Sequence, residues 1–357
     1  MSNVMIIGMG DMGERLATGL AAQGRTTRLT LVGRSPKRLA DTAACVASQT
    51  DCFVEPVVAD ALRRDDLAEA LDRHRPDLVV QCASSQSPWA LFGRTDAAAR
   101  AVNGAGLALR LPYQLPPVVS VMRAVRDAGY TGPVANLSFP DVVGPILRPL
   151  GLAPTLGLGN AGIMLRRVRT ALRISAPTGK LPLVRIVGHH AQVFGVMQAN
   201  EPADANDRCR VYLGAEGRRR DSLAYRAPSL APGRIYNRVT AGATLPVLEA
   251  LLGESEPLRW SVPAPAGLPG GYPVRITNGQ VTLDLPPGQS LEEAVSFNER
   301  LGRQDGVERV EDDGTVHFTE ACRAAVADIA PELADPLPLD GLTERAKHLD
   351  ELLGQPR

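Results

Sequence analysis

The sequence predicts an α/β chain: a doubly wound parallel sheet in its N-terminal part, then an α+β part. Three observations predict this. From Val4 to Leu137, short runs rich in Val, Ile and Leu alternate with helix-like runs, the pattern of βαβ units. The first run enters Gly8-Met-Gly10-Asp-Met-Gly13, a G-x-G-x-x-G spacing that opens a helix. Further on, hairpin signals and Pro/Gly-rich loops take over. The expected division is 1–145 for the parallel-sheet domain and 146–357 for the α+β domain that faces it.

Composition narrows the function. The 357 residues suffice for two medium domains with a sizeable core. The formal net charge is zero, so no global field favours nucleic acid or an anionic membrane. No apolar run approaches the ~20 residues a membrane helix needs. The N-terminus lacks a basic leader, so a cytoplasmic protein is expected. The five cysteines are scattered without a C-x-x-C pair and read as reduced core residues, with no disulfide or metal framework.

Each glycine of the turn has a task in a dinucleotide site. Gly8 permits the sharp turn, Gly10 lets the backbone approach a pyrophosphate, and Gly13 lets the helix lie close to the strand. Asp11 and Met12 complete the turn, and the helix N-terminus offers N–H groups and a positive dipole end to phosphates. Gly24 is the expected helix C-cap. The second strand, Arg28 to Gly33, runs into Arg34-Ser35-Pro36-Lys37-Arg38 with no acid to take ribose hydroxyls. Arg34, with Ser35 and Lys37 or Arg38, matches a 2′-phosphate, which favours NADP over NAD. The plain alternative is a solvated basic helix start.

A helix to about Ser48, a third strand over Cys52 to Val58, a helix over Asp65 to Arg73 and a fourth strand over Asp77 to Cys82 follow, with Asp60 placed near an adenine. Ligands bind beyond the carboxyl ends of such strands, so Cys82-Ala83-Ser84-Ser85 is expected to pass the cofactor. Gln86 to Arg94 reads as a lid with Arg94 as a substrate-facing charge, or else as a plain surface loop. Leu111 to Pro117 leads into a helix expected over Val118 to Ala128. Pro133 to Leu137 supplies the fifth strand.

From Asn136 onward four stretches follow in order: Asn136-Leu-Ser-Phe-Pro140-Asp141, Gly157-Leu-Gly159-Asn160, Leu165-Arg166-Arg167 and Val187-Gly188-His189-His190. In these the chain resembles the lactate/malate dehydrogenase superfamily of Rossmann-fold NAD(P)-binding enzymes. Later stretches also match: Asn237 to Thr244, with Thr240, resembles a helix start lining a substrate pocket, and Tyr272 to Leu283 a late sheet. The resemblance implies that His190 transfers the proton, that Arg166 holds a substrate carboxylate, and that the protein is a homodimer. The chain departs from the pattern at four places, one being that the arginine-bearing lid motif has no counterpart beyond Arg94. Pro140 stands four residues after Asn136, the acid that pairs with the histidine is replaced by Ile163, and His189 stands where the family has Glu.

The chemistry can be stated without the family. Reducing a carbonyl by hydride builds charge on oxygen, and a histidine titrates in the range to donate a proton there. A guanidinium can clamp a carboxylate, and an amide such as Asn136 at a strand end can bond the reacting oxygen or the nicotinamide amide. Arg166 and Arg167 lie about 100° apart on a helix, so one of them faces the cleft; two exposed helix arginines are the plain alternative. Of five histidines, His189 and His190 follow a strand end. For His190 an acid/base, a structural turn residue and a metal ligand are weighed. The metal reading is weakest because adjacent side chains point apart. An acid/base needs an orienting group, for which Asn160, Asp141 or His189 are available.

In the second part, strands are expected over Arg210 to Leu213, Leu258 to Val262 and Val274 to Leu285, with a turn at Gly217 to Asp221 and a helix from Thr244 to Leu252. Ser290-x-x-Glu293 is a capping box. A hairpin joins Val307–Val310 to Thr315–Phe318, and helices are expected over Glu320 to Ile329 and Leu342 to Leu353. The expected function is hydride transfer between NADP(H) and a small carboxylate-bearing 2-oxo or 2-hydroxy compound or related ketone. The alternatives are an imine reductase or amino-acid dehydrogenase in the saccharopine/opine style, a non-catalytic NADP(H) sensor supported by Ile163, and an NAD-using glycosidase.

Overall fold

A computed structural model describes residues 2–253 and 256–354. The first unit comprises β1 (Ser2–Ile7), α1 (Asp11–Gln23), β2 (Thr26–Gly33), α2 (Pro36–Ala47), β3 (Phe53–Val58), α3 (Arg64–His74), β4 (Leu78–Gln81), α4 (Ala97–Gly104), α5 (Leu111–Asp127), β5 (Val134–Asn136), α6 (Pro140–Leu147) and β6 (Leu156–Gly157). The strands form one parallel sheet in the order β3-β2-β1-β4-β5-β6. This is the doubly wound order that reverses between β1 and β4.

Local signals set these elements. Gly24 ends α1 in the left-handed conformation (φ 70°), its N–H bonded to the Ala21 carbonyl. Ser35 caps α2 ahead of Pro36. Residues of β1 alternate between faces, as a strand must. Met5 and Ile7 join one core with α3 and α5. Val4 and Ile6 join another with α1, α2 and the second half of the chain. All four are fully or almost fully buried, each contributing about 1.5–3 kcal/mol.

The second half comprises α7 (Asn160–Ser175), β7 (Val184–Val187), α8 (Val193–Gln198), β8 (Arg210–Leu213), β9 (Arg218–Arg219), α9 (Tyr236–Leu251), β10 (Leu258–Pro263), β11 (Gly271–Thr277), β12 (Gln280–Leu283), α10 (Leu291–Gly302), β13 (Val307–Val310), β14 (Val316–Phe318), α11 (Glu320–Val326) and α12 (Leu342–Leu353). Its three small sheets, β7-β8-β9, β10-β11-β12 and β13-β14, are antiparallel. Gly19 on α1 is bare where Leu245 of α9 presses in; a Cβ there would lie 2.6 Å from the leucine. The chain then returns: Val316, Phe318, Leu342, Leu349 and Leu353 are buried in the core beside α3 and α5.

Three elements differ from expectation. Helix α5 starts at Leu111, with Pro112 in its first turn and Pro116 and Pro117 inside it. The bond that Pro117 cannot donate leaves the Tyr113 carbonyl open, and the Ser85 N–H takes it at 2.8 Å. Helix α9 starts eight residues early, at Tyr236, because Tyr236, Ala241 and Ala243 bury against the core. The single strand expected over Val274 to Leu285 is the hairpin β11–β12. Asn278 and Gly279 turn it with positive φ (50° and 76°), the residue pair such a two-residue turn demands.

At Gly13 a Cβ would sit 2.1 Å from the Gly8 carbonyl oxygen, a backbone atom that cannot step aside. Gly13→Val is therefore expected to lower stability by more than about 2 kcal/mol. The check is the urea midpoint; an unchanged midpoint would contradict this packing.

Candidate active site

Two adjoining cavities lie beyond the carboxyl ends of β1, β2 and β4. The first, about 290 Å³, is lined by Gly8, Gly10, Arg34, Ser35, Arg38, Asp60, Ala83 and Ser84 among others. The second, about 730 Å³, is lined by Asp11, Met12, Asn160, Thr240, His190 and the loop 87–94 among others. Gly10, Cys82 and Ser84 border both, so an elongated ligand can run from one into the other. The site fits a dinucleotide. Gly8 has φ 100°, and a Cβ there would strike the Ala83 backbone at 2.4 Å. A Cβ on Gly10 would meet nothing within 4 Å and would stand in the open groove. No side chain caps the N-terminus of α1, so its first N–H groups stay available to an anion. Arg34 is exposed at the mouth, 4.0 Å from Asp60.

The acid/base candidate sits at the other end. His190 follows β7, and its Nδ1 lies 2.9 and 3.0 Å from the two oxygens of Asp305. Its Nε2 has no protein partner among the described residues, and the ring lines the larger cavity. The Phe139 ring meets it edge-on at 5.2 Å, held there by a left-handed backbone (φ 39°) just before Pro140. Asp141 accepts the His190 backbone N–H at 3.0 Å through one oxygen and the Asn160 amide through the other. Burial works against charge on His190, but Asp305 and Asp141 outweigh it and raise the imidazole above its ordinary pKa. Burial would push Asp305 up; the two neighbouring histidines instead hold it well below the usual carboxylate range.

Asp305 was invisible to motif reading because it comes from the turn after α10, 115 residues from His190. That turn presses against the end of α4. Gly106 (φ 90°) is bare where a Cβ would lie 2.5 Å from the Asp305 carbonyl, and Gly306 (φ 99°) where one would lie 2.7 Å from the Ala105 carbonyl. The adjacent Asp305-Gly306 pair before a hairpin was the available signal.

The other expected residues divide. Asn160 and Thr240 line the cavity, the Thr240 hydroxyl donating to the Tyr236 carbonyl at 3.0 Å. Arg94 also lines it, but its guanidinium is engaged by Asp96 at 2.8 and 3.0 Å and by the Leu353 carbonyl. His189 turns behind the site, its Nδ1 3.2 Å from Asp305. Asn136 is buried, and its amide closes a turn on Ser138 at 3.0 Å through both of its ends. Neither helix arginine reaches the cleft. Arg166 donates to the Gly242 carbonyl and stacks on Trp260 at 4.7 Å; Arg167 is buried on the carbonyls of Met197, Ala227 and Pro228. The face of α7 that looks into the cleft presents Asn160 and Ile163 instead.

Besides Arg94, whose charge Asp96 meets, Arg110 lines the cleft and is 4% exposed. It donates to the carbonyls of Pro88 and Ser87 and to the Gln86 side chain, and its Nε has no partner. No carboxylate pairs with it among the described residues, and burial pushes its pKa down to about 10.

Because the folded His190 titrates above 6.5, the stabilisation it draws from Asp305 is complete below that value and is lost as pH rises through the raised one. Asp305→Asn is expected to move the His190 titration, followed by its ring-proton NMR signal, to lower pH and to erase that fall in stability. A titration at the wild-type position would refute the pairing.

Comparison with known proteins agrees with this architecture. A family model described as "NADP oxidoreductase coenzyme F420-dependent" matches residues 3–72. No curated protein matches the sequence. Among solved structures, a lactate dehydrogenase from a Medee basin deep-sea metagenome library superposes with TM-score 0.51 at 14% identity, over 85% of this chain and 96% of that one. The malate dehydrogenase of Picrophilus torridus gives 0.51 at 13%, over 85% and 96%. The minor L-lactate dehydrogenase of Enterococcus mundtii gives 0.50 at 15%, over 84% and 95%. With six parallel strands in the doubly wound order and antiparallel sheets packed behind them, the chain has the Rossmann-based fold of the lactate and malate dehydrogenases.

Proposed function

We propose that the protein is an NADP(H)-dependent oxidoreductase that moves a hydride between the nicotinamide and the carbonyl or carbinol carbon of a 2-oxo or 2-hydroxy carboxylate. The observation that carries this reading is the His190–Asp305 pair, with Nε2 of His190 free in a cleft continuous with the glycine turn. Residues 1–145 would carry the cofactor and 146–357 the proton-transfer group.

Gly8, Gly10 and Gly13 shape the cradle for the pyrophosphate, with the first N–H groups of α1 facing it. Arg34, Ser35 and Arg38, which line the smaller cavity, are the partners for a 2′-phosphate. Ala83 and Ser84 flank the path between the cavities. A bound nicotinamide supplies or takes the hydride.

The residues of this chain handle the proton and the geometry. In the reducing direction His190 carries a proton on Nε2 and delivers it to the oxygen as negative charge builds there; in the oxidising direction it accepts that proton. Asp305 holds Nδ1 protonated and stabilises the imidazolium, while Asp141 fixes the backbone beneath it. Arg110 supplies the counter-charge for the carboxylate, the role that Arg166 leaves vacant by packing on Trp260. The Asp305 pairing favours turnover over the non-catalytic sensor reading, which rested on Ile163 standing where an acid was expected.

The test is purified protein with NADPH and a panel of 2-oxo acids, with and without amines, followed at the nicotinamide absorbance. Loss of absorbance with the acids alone is expected; loss only with amine present would favour imine reduction. His190→Ala is expected to lower turnover by roughly 10²–10⁴-fold with NADPH affinity nearly intact; an unchanged rate would sink the assignment. Arg34→Asp is expected to weaken NADPH by about 10- to 100-fold and NADH far less, as loss of a charge-assisted contact requires. Equal effects on the two cofactors would refute the 2′-phosphate contact.

A further inference from the structure

The larger cavity has an aromatic wall. Trp89 and Phe92 come from the loop after β4, Phe194 from α8 and Tyr236 from α9, and all four line the same space as His190. Trp89 stands 5.8 Å from Phe92, 5.8 Å from Tyr236 and 6.3 Å from Phe194, and Phe194 stands 5.6 Å from Tyr236. The chain is poor in aromatics, with six Phe, six Tyr and two Trp, so four of them on one wall is a concentration.

The polar handles of this wall are already used. The Trp89 indole N–H donates to Asn237 at 3.1 Å and the Tyr236 hydroxyl to the Leu230 carbonyl at 3.1 Å. What remains for a ligand is carbon surface. Phe92 and Phe194 are 55% and 42% exposed, although each packs against other rings. Leaving that much aromatic surface in water is unfavourable, and an apolar ligand group would cover it. Ile163 and Val193 cluster with Trp89 and Tyr236 and line the same cavity as His190, so the apolar surface extends beyond the four rings.

We propose that the substrate side chain is aromatic or comparably bulky and apolar, seated on Trp89, Phe92, Phe194 and Tyr236, with the carbonyl at His190. This deepens the hydride-transfer reading and rests on it for the placement of the reacting carbon. A methyl-sized side chain, as in pyruvate, would leave the wall bare.

The two readings separate in a binding experiment that needs no turnover. NADPH-loaded protein is titrated by calorimetry with 3-phenyllactate and with lactate, neither of which can react with the reduced cofactor. The phenyl compound is expected to bind at least about 10-fold tighter, the advantage of burying an aromatic ring. Phe194→Ala, and separately Phe92→Ala, are expected to remove most of that ratio while lactate binding stays the same; both side chains are solvent-facing, so the fold should tolerate their loss. Equal affinities, no binding of either acid at millimolar concentration, or a ratio untouched in both variants would overturn the proposal. A preserved ratio without turnover of any 2-oxo acid would support it and reject hydride transfer. Turnover of pyruvate and phenylpyruvate with equal kcat/KM would do the reverse.

Discussion

A buried carboxylate between two imidazoles is the interaction on which the site depends. Asp305 is 6% exposed, and charge is costly there unless it is paired. The pairing with His190 and His189 meets that condition and in return fixes which nitrogen of His190 faces the cleft. The arrangement requires the turn after α10 to lie against the end of α4. Two glycines with positive φ, Gly106 and Gly306, permit that approach by having no Cβ at the contact. The segment that follows is then committed to the first core, where Val316, Phe318 and the last helix are buried. One ion pair thus joins the last fifty residues, the proton-transfer candidate and the dinucleotide half.

The loop over the cleft has its own anchorage. Pro117 frees a carbonyl in α5 that holds Ser85, Gln114 donates to the Gln86 carbonyl, and Arg110 gathers Gln86, Ser87 and Pro88. On the far side Trp89 bonds Asn237, whose amide in turn donates to Asp11 in the glycine turn at 2.6 Å. The loop is therefore held by the helix before the fifth strand and by the second half of the chain at once. Its position and that of the glycine turn are coupled through side chains that would border the cofactor.

Much of the first half was legible because its signals are local. The glycine turn, the buried first strand that enters it and the Gly24 stop each act within a few residues. The capping box at Ser290 and Glu293 was legible for the same reason. The misreadings have equally physical causes. Prolines in α5 looked like breakers, yet a carbonyl freed by one of them found a partner outside the helix. The Asn278-Gly279 turn interrupts a run of strand formers whose propensity alone predicts one strand.

The site was less legible. His190, Asn160 and Thr240 line one cleft, but Arg166 and Asn136 spend their polar groups elsewhere, on Gly242 and on Ser138. By itself the sequence determined the backbone freedom and the capping, since these depend on neighbours along the chain. Only the tertiary structure decided that Asp305 pairs with His190, that Arg166 packs on Trp260 while Arg110 lines the cleft, and that four scattered aromatics share a wall. The physical reason is that a charged or apolar side chain takes the partner that packing brings to it, and here that partner lies up to 115 residues away.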